Sequence, residues 1–204
     1  MTLIHLIRHG QTNWNVEGRI QGQTDSILTE IGQAQAVDAG EALKNHRFDA
    51  AYSSTSIRAL DTAKSILAHH QTELRPTPDL LEIHFGSWEG RLYAELEADD
   101  PENHDYFFNN PAKFNVEGVE TFYQVQTRAM ATIDKIAAAH PQQTVLLVSH
   151  GLYIRAILNH IQGTAMEAFW QGPRMTNCCH SIIQRQDNGA FTIQQFAHPL
   201  TDRD

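Results

Sequence analysis

The sequence predicts an α/β fold, and three observations predict it. Short segments rich in β-branched residues and leucine recur along the chain, and between them lie longer segments whose apolar residues return at helical spacing. Two of the short segments end in the same dipeptide, His9-Gly10 and His150-Gly151. In an open α/β sheet the loops at the carboxyl ends of the strands converge on ligands while the strands stay rigid. The two strand ends are therefore expected to deliver His-Gly to one edge of the sheet.

The elements follow in order. Thr2 to Ile7 alternates weakly and reads as the first strand. Thr29 caps a helix over about 30–44, Phe48 to Ser53 forms a strand, and a helix follows over about 56–69 with Ile57, Leu60, Ala63 and Leu67 as its core stripe. A third helix spans about 119–139, with Phe122, Val125, Ala129, Ile133 and Ile136 inward. Thr144 to Val148 is a continuous apolar run, the mark of a buried strand, and leads into a helix over about 152–161 carrying Ile154, Ile157 and Ile161. Ser181 to Arg185 and Phe191 to Phe196 form a terminal pair joined through Asn188-Gly189. The stretch from Leu92 to Thr127 stands apart, because it is rich in Asp and Glu and Lys113 is its only Lys or Arg. It is expected to cap the site.

Composition narrows the function. With 41% hydrophobic and 19% charged residues the chain is expected to be an ordinary globule, and its length suits one α/β domain, with or without a cap. A net charge of −9 repels nucleic acid and anionic membrane surfaces, so an anionic substrate has to be small and held locally. Met1 to Ile7 lacks the apolar core of a signal peptide and no run of about 18 apolar residues occurs, which makes a cytoplasmic location the expectation. Cys178 and Cys179 are adjacent and cannot staple distant parts of the chain, so a reducing compartment fits. A monomer or a homodimer is equally compatible with these features.

Chemistry concentrates at Arg8-His9-Gly10, where a guanidinium stands beside an imidazole at a strand end. A neutral imidazole is a competent nucleophile near neutral pH. The glycine is read as a place where backbone approaches a ligand. Four further segments belong with it. A glycine-punctuated polar loop carries Asn15, Arg19, Gln21 and Gly22; Ser53-Ser54-Thr55-Ser56-Ile57-Arg58 opens a helix with hydroxyls and an arginine; and Leu81-Glu82-Ile83-His84-Phe85-Gly86 precedes Leu147-Val148-Ser149-His150-Gly151.

Together these segments resemble the histidine phosphatase superfamily, the phosphoglycerate-mutase-like proteins, from residue 3 to about 152. The resemblance implies a three-layer α/β sandwich with a mostly parallel central sheet flanked by helices, spanning 1–204 as one domain with a small cap insertion at about 91–120. It implies His9 as the phosphoryl-accepting nucleophile, Arg8, Arg58 and His150 as the charge around the phosphoryl group, and Glu82 as the acid, with Glu89 a competitor for that role. Asn15, Gln21, Gly22 and Gly151 join Arg8, Arg58 and His150 as candidate phosphate contacts. The chain departs from the family in carrying Val119-Glu120-Thr121 where Gly-Glu-Ser is frequent, and in lacking the arginine pair that the mutases use after the position of Glu82.

No His-Glu-x-x-His, Gly-x-x-x-x-Gly-Lys or Gly-x-Gly-x-x-Gly occurs, so neither a metal nor a cofactor is expected, and Cys178-Cys179-His180 reads as buried packing. Three activities compete: a phosphomonoesterase working on small phosphate esters, a phosphoglycerate mutase, and a non-catalytic binder of phosphorylated ligands. The first leads. A mutase has to hold a second anionic group, which the acidic 92–127 segment does not favour, whereas Trp88, Tyr93, Tyr106, Phe107, Phe108 and Phe114 suit an apolar leaving group. A binder would have lost a catalytic residue, and none is missing.

Overall fold

In the computed structural model, which describes residues 1–203, six strands form one sheet: β1 (Thr2–Arg8), β2 (Ala50–Ser54), β3 (Leu74–Thr77), β4 (Thr144–Ser149), β5 (Cys179–Arg185) and β6 (Phe191–Pro199). Their order is β3-β2-β4-β1-β5-β6. The first four in the list are parallel, and β5 and β6 extend the sheet antiparallel. The helices are α1 (Asn13–Glu17), α2 (Glu30–Leu43), α3 (Ile57–Ile66), α4 (Tyr93–Asp99), α5 (Pro101–Asn109), α6 (Phe122–Ala139) and α7 (Gly151–Gln162).

The central strands are apolar on both faces because helices cover both. Val145 and Leu147 of β4 point into one core with Val125, Ile133 and Ile157 of α6 and α7. Leu146 and Val148 point into the other with Ala39 and Leu43 of α2 and Ala59, Ala63 and Ile66 of α3. The sheet with its two helical layers is the predicted three-layer architecture. Among the described residues no helix is long and apolar enough to cross a membrane.

Register explains the repeated His-Gly. β1 and β4 are parallel neighbours with Arg8 opposite Ser149, and the His9 amide donates to the Ser149 carbonyl at 3.0 Å. His9 and His150 therefore step off adjacent strands at the same end of the sheet.

Several expectations need correction. The stripe on α3 is rotated: Arg58, Ala59, Thr62, Ala63 and Ile66 are buried, while Ile57 is 44% exposed. Apolar periodicity misplaced this face because the helix turns a guanidinium and a hydroxyl inward. α3 also ends at Ile66 and finishes as a 3-10 turn over Leu67–His69. β3 has no counterpart among the predicted strands, since it is a four-residue edge strand containing Pro76 and exposing its middle residues. The cap region is helical: Asp100 accepts from the Asn103 amide at 3.2 Å and Pro101 occupies the first turn of α5.

Candidate active site

His9 follows β1 and is 3% exposed. Its Nδ1 lies 2.7 Å from the Gly10 carbonyl oxygen. A carbonyl only accepts, so this contact keeps the proton on Nδ1 and leaves Nε2 with its lone pair. Burial, joined by the charges of Arg58 and Arg8, holds the imidazole well below its ordinary pKa. The ring is neutral near pH 7, the form a nucleophile requires.

Gly10 has a different task from the one expected. A Cβ there would stand 2.4 Å from the Gly32 carbonyl oxygen, and a Cβ on Gly32 would stand 2.0 Å from that of Gln11. The pair lets α2 pack against the loop after β1. The Gly10 amide donates to Thr62 Oγ1 of α3 at 3.0 Å, which fixes the nucleophile's loop to the helix that carries Arg58.

Arg58 is fully buried; Nη1 donates to the Thr24 carbonyl at 2.8 Å and Nη2 to that of Gly22 at 2.6 Å. Burial pulls its pKa down to about 10, which still leaves it charged at neutral pH. Arg8 donates through Nη1 to the Met175 carbonyl, and Gly151, where a Cβ would lie 3.2 Å from Arg8 Nε, makes room for the guanidinium. The His150 ring centroid is 5.2 Å from that of His9, and its Nε2 is 2.8 Å from Ser54 Oγ. Burial, with Arg58 adding, keeps His150 neutral as well.

Three nitrogens around His9 share one property. Arg8 Nε, Arg58 Nε and His150 Nδ1 are buried and have no hydrogen-bond partner. Arg8 and Arg58 line the same cavity as His9, so an oxyanion brought there meets two guanidinium groups.

Glu82 is 9% exposed and holds its carboxyl at the amino terminus of α7. Oε1 accepts from the amides of Ile83 at 3.0 Å and Tyr153 at 2.9 Å, and Oε2 from Leu152 at 3.1 Å. Burial raises its pKa and these amides work against the rise; burial wins, so the protonated acid is favoured beyond the usual carboxylate range. Glu89 lies outside this arrangement. It accepts from the amides of Gln23, Thr24 and Phe85, is held low, and staples the 22–24 loop. Gly22 permits this, since a Cβ there would meet Glu89 Oε1 at 2.3 Å.

Arg8, His9, Asn15, Gln21, Gly22, Arg58, Glu82 and Gly151 line one cavity of about 410 Å³. His150 stands edge-on to His9 and is not part of the cavity wall. Asn15 Oδ1 takes the Thr12 amide, and Gln21 Oε1 takes the hydroxyls of Thr12 and Ser26. Their carbonyl ends being engaged, the NH₂ ends are the ones free to donate.

The lining also contains residues absent from the predicted set: Trp14, Phe85, Arg155, Trp170 and Arg174. Arg155 donates to the Gln171 carbonyl at 2.8 Å and that of Pro173 at 2.5 Å, holding the connection that carries Arg174. Of the cap aromatics, Tyr93 and Phe107 reach the cavity, while Trp88 and Phe114 are buried in the core. The cap is joined to the same connection, because Trp170 Nε1 donates to the Phe107 carbonyl at 2.5 Å. Among the described residues Arg8, Arg58, Arg155 and Arg174 form no ion pair, and Glu82 is the one carboxylate in the lining. Gly172-Pro173-Arg174, a turn after α7, was the available sequence signal. Cys178 and Cys179 are free and buried, as expected of packing residues.

Comparison with known proteins agrees with this geometry. The metal-independent phosphoserine phosphatase of Arabidopsis thaliana is 41% identical over 160 residues, covering 77% of this chain and 67% of that protein. Phosphoserine phosphatase 1 of Hydrogenobacter thermophilus is 30% identical over 187 residues, covering 92% and 88%. The structure of Bacillus stearothermophilus YhfR superposes with a TM-score of 0.94 at 34% identity, covering 97% of this chain and 98% of that one. The model of the histidine phosphatase superfamily (branch 1) matches residues 4–198, and the chain belongs to that superfamily.

Proposed function

We propose that this chain hydrolyses small phosphate monoesters through a phosphohistidine at His9, and that its preferred leaving group carries a carboxylate. The phosphatase activity is that of its superfamily relatives. The observation that carries the mechanism is a neutral His9 whose Nε2 is unprotonated, lining one cavity with the Arg8 and Arg58 guanidinium groups and the Glu82 carboxyl.

The steps follow from these positions. The Arg8 and Arg58 guanidinium groups hold the phosphoryl oxygens, and His9 Nε2 attacks phosphorus in line. The ester P–O bond breaks as the Glu82 carboxylic acid passes its proton to the departing oxygen. Water then attacks the phosphohistidine and gives its proton to the Glu82 carboxylate; the P–N bond breaks, inorganic phosphate leaves, and His9 and Glu82 return to their starting forms. The raised pKa of Glu82 suits a group that has to be an acid in one step and a base in the next.

The substrate reading corrects the charge argument drawn from the cap. The 92–127 segment is acidic, but Glu82 is the one carboxylate in the cavity lining and the exposed Arg174 also lines it, so a carboxylate on the leaving group meets guanidinium and not the cap's carboxylates. The two relatives named phosphoserine phosphatases support a leaving group of this kind. The 91–120 segment then acts as a cap whose Tyr93 and Phe107 close over the substrate. Two free cysteines suit a reducing, cytoplasmic setting.

The test is phosphate release from phosphoserine and 3-phosphoglycerate beside ethyl phosphate, run with an assay for conversion of 3-phosphoglycerate to 2-phosphoglycerate. The expected result is higher kcat/KM for the carboxylated esters and release faster than interconversion. Equal kcat/KM for ethyl phosphate removes the carboxylate preference, and faster interconversion replaces hydrolysis by mutase chemistry.

A further inference from the structure

Glu120 and Arg128 form the most heavily bonded ion pair outside the cavity. Arg128 Nε donates to Glu120 Oε1 at 2.8 Å and Nη2 to Oε2 at 2.9 Å, a two-point contact between the start of α6 and its second turn. The same guanidinium reaches the segment before the site: Nη1 donates to the Leu81 carbonyl and Nη2 to the Glu82 carbonyl, both at 2.9 Å. Those two carbonyls belong to the peptide units on either side of the Glu82 Cα. Glu120 fixes the next step of the chain, because its Oε2 accepts from the His84 amide and its own amide donates to the His84 carbonyl, each at 2.8 Å.

We propose that Arg128, oriented by Glu120, is a positioning residue that holds the Glu82 carboxyl in the geometry for proton transfer. Fixing both flanking peptide units fixes φ and ψ at Glu82, and hence the direction in which its side chain leaves the backbone. The far end is fixed independently by the amides of Leu152 and Tyr153. Arg128 also ties these two anchors together, since its guanidinium lies over the Tyr153 ring, 5.1 Å from the centroid. Misplacement of a reacting group by about 1 Å is enough to cost much of its rate contribution. The pair also accounts for Glu120 in the altered Val119-Glu120-Thr121 segment: its carboxylate serves Arg128 and the backbone, tasks that need no following serine.

This inference rests on the reading of Glu82 as the acid, and the experiment separates the two. Arg128→Met, Arg128→Lys, Glu120→Gln and Glu82→Gln are compared on phosphoserine, whose alkoxide needs a proton, and on p-nitrophenyl phosphate, whose phenolate barely does. Arg128→Met is expected to lower kcat on phosphoserine roughly 10-fold or more and on p-nitrophenyl phosphate by less than about 3-fold. Glu120→Gln should fall in the same direction, Arg128→Lys should recover part of the loss, and Arg128→Met should add little in the Glu82→Gln background. If Glu82→Gln discriminates between the substrates but Arg128→Met and Glu120→Gln lower both equally, or if their losses add fully to that of Glu82→Gln, the positioning role is overturned. If Glu82→Gln itself fails to discriminate, the acid assignment falls first. Should Arg128→Met not fold because Glu120 is left unpaired, the double variant Glu120→Gln/Arg128→Met carries the same comparison.

Discussion

The Nδ1 of His9 lies 2.7 Å from the carbonyl oxygen of Gly10, the residue that follows it. This single contact selects the tautomer, and burial beside Arg58 and Arg8 selects the charge state. The folded-state pKa lies below 6.5, so protonation of His9 should not limit the reaction until the pH falls well beneath that value. The pH profile of kcat/KM, corrected for ionisation of the substrate phosphate, is expected to keep its His9-dependent limb below 6.5. A limb centred at the value of a free imidazole contradicts the buried, arginine-flanked placement.

Glu82 exchanges stability for function. Its folded pKa is raised, so its contribution to stability is fully present below about 4.5 and is lost as pH rises through the folded value. Glu82→Gln should therefore be at least as stable as the parent at pH 7.5 by urea denaturation, while losing about 10²–10⁴ in rate on phosphoserine and less on p-nitrophenyl phosphate. A destabilised variant with equal losses on both substrates assigns Glu82 to structure.

Arg174 is exposed, lines the cavity with Arg8 and Arg58, and has no carboxylate partner among the described residues. Arg174→Ala is expected to raise KM for phosphoserine about 10-fold, the scale of one charge-assisted hydrogen bond, and to leave ethyl phosphate almost unchanged. A similar change on both esters places the carboxylate elsewhere.

A second histidine pair predicts acid sensitivity. His5 Nδ1 and His180 Nε2 lie 2.9 Å apart, both buried, joining β1 to β5. Burial lowers His5 to about 4 and His180 to about 3. Both folded values lie below 6.5, so the stability they contribute is complete above that pH and is lost as pH falls towards 4 and 3. For His5 the loss is on the order of 3 kcal/mol. Urea midpoints between pH 7.5 and 4.5 should fall steeply for the parent and less steeply for His5→Asn, even though that variant starts lower. Parallel slopes exclude the pair as an acid-labile element.

The site was legible in the sequence where it follows from strand ends. His9 and His150 meet because β1 and β4 are parallel neighbours in matched register, and both strands announce themselves by apolar runs. Arg58 was legible as a residue but its helix face was not, since periodicity counts a buried arginine as solvent-facing and so placed Ile57 inside. Arg174 reaches the cavity only because the connection between α7 and β5 packs against Arg155 of α7, a tertiary event without a local pattern. Gly10 was assigned to a ligand when its neighbour is the Gly32 carbonyl, a contact 22 residues away in sequence that no local spacing encodes.

The central claim is covalent transfer to His9. Rapid quench of the parent with ³²P-labelled substrate under alkaline conditions, followed by peptide mapping, is expected to find acid-labile, base-stable phosphate on the peptide containing His9, formed and consumed at rates that sustain turnover. His9→Ala should show neither that label nor hydrolysis of p-nitrophenyl phosphate. A His9→Ala protein that still hydrolyses the ester at a substantial rate, or a label found on another residue, contradicts the account.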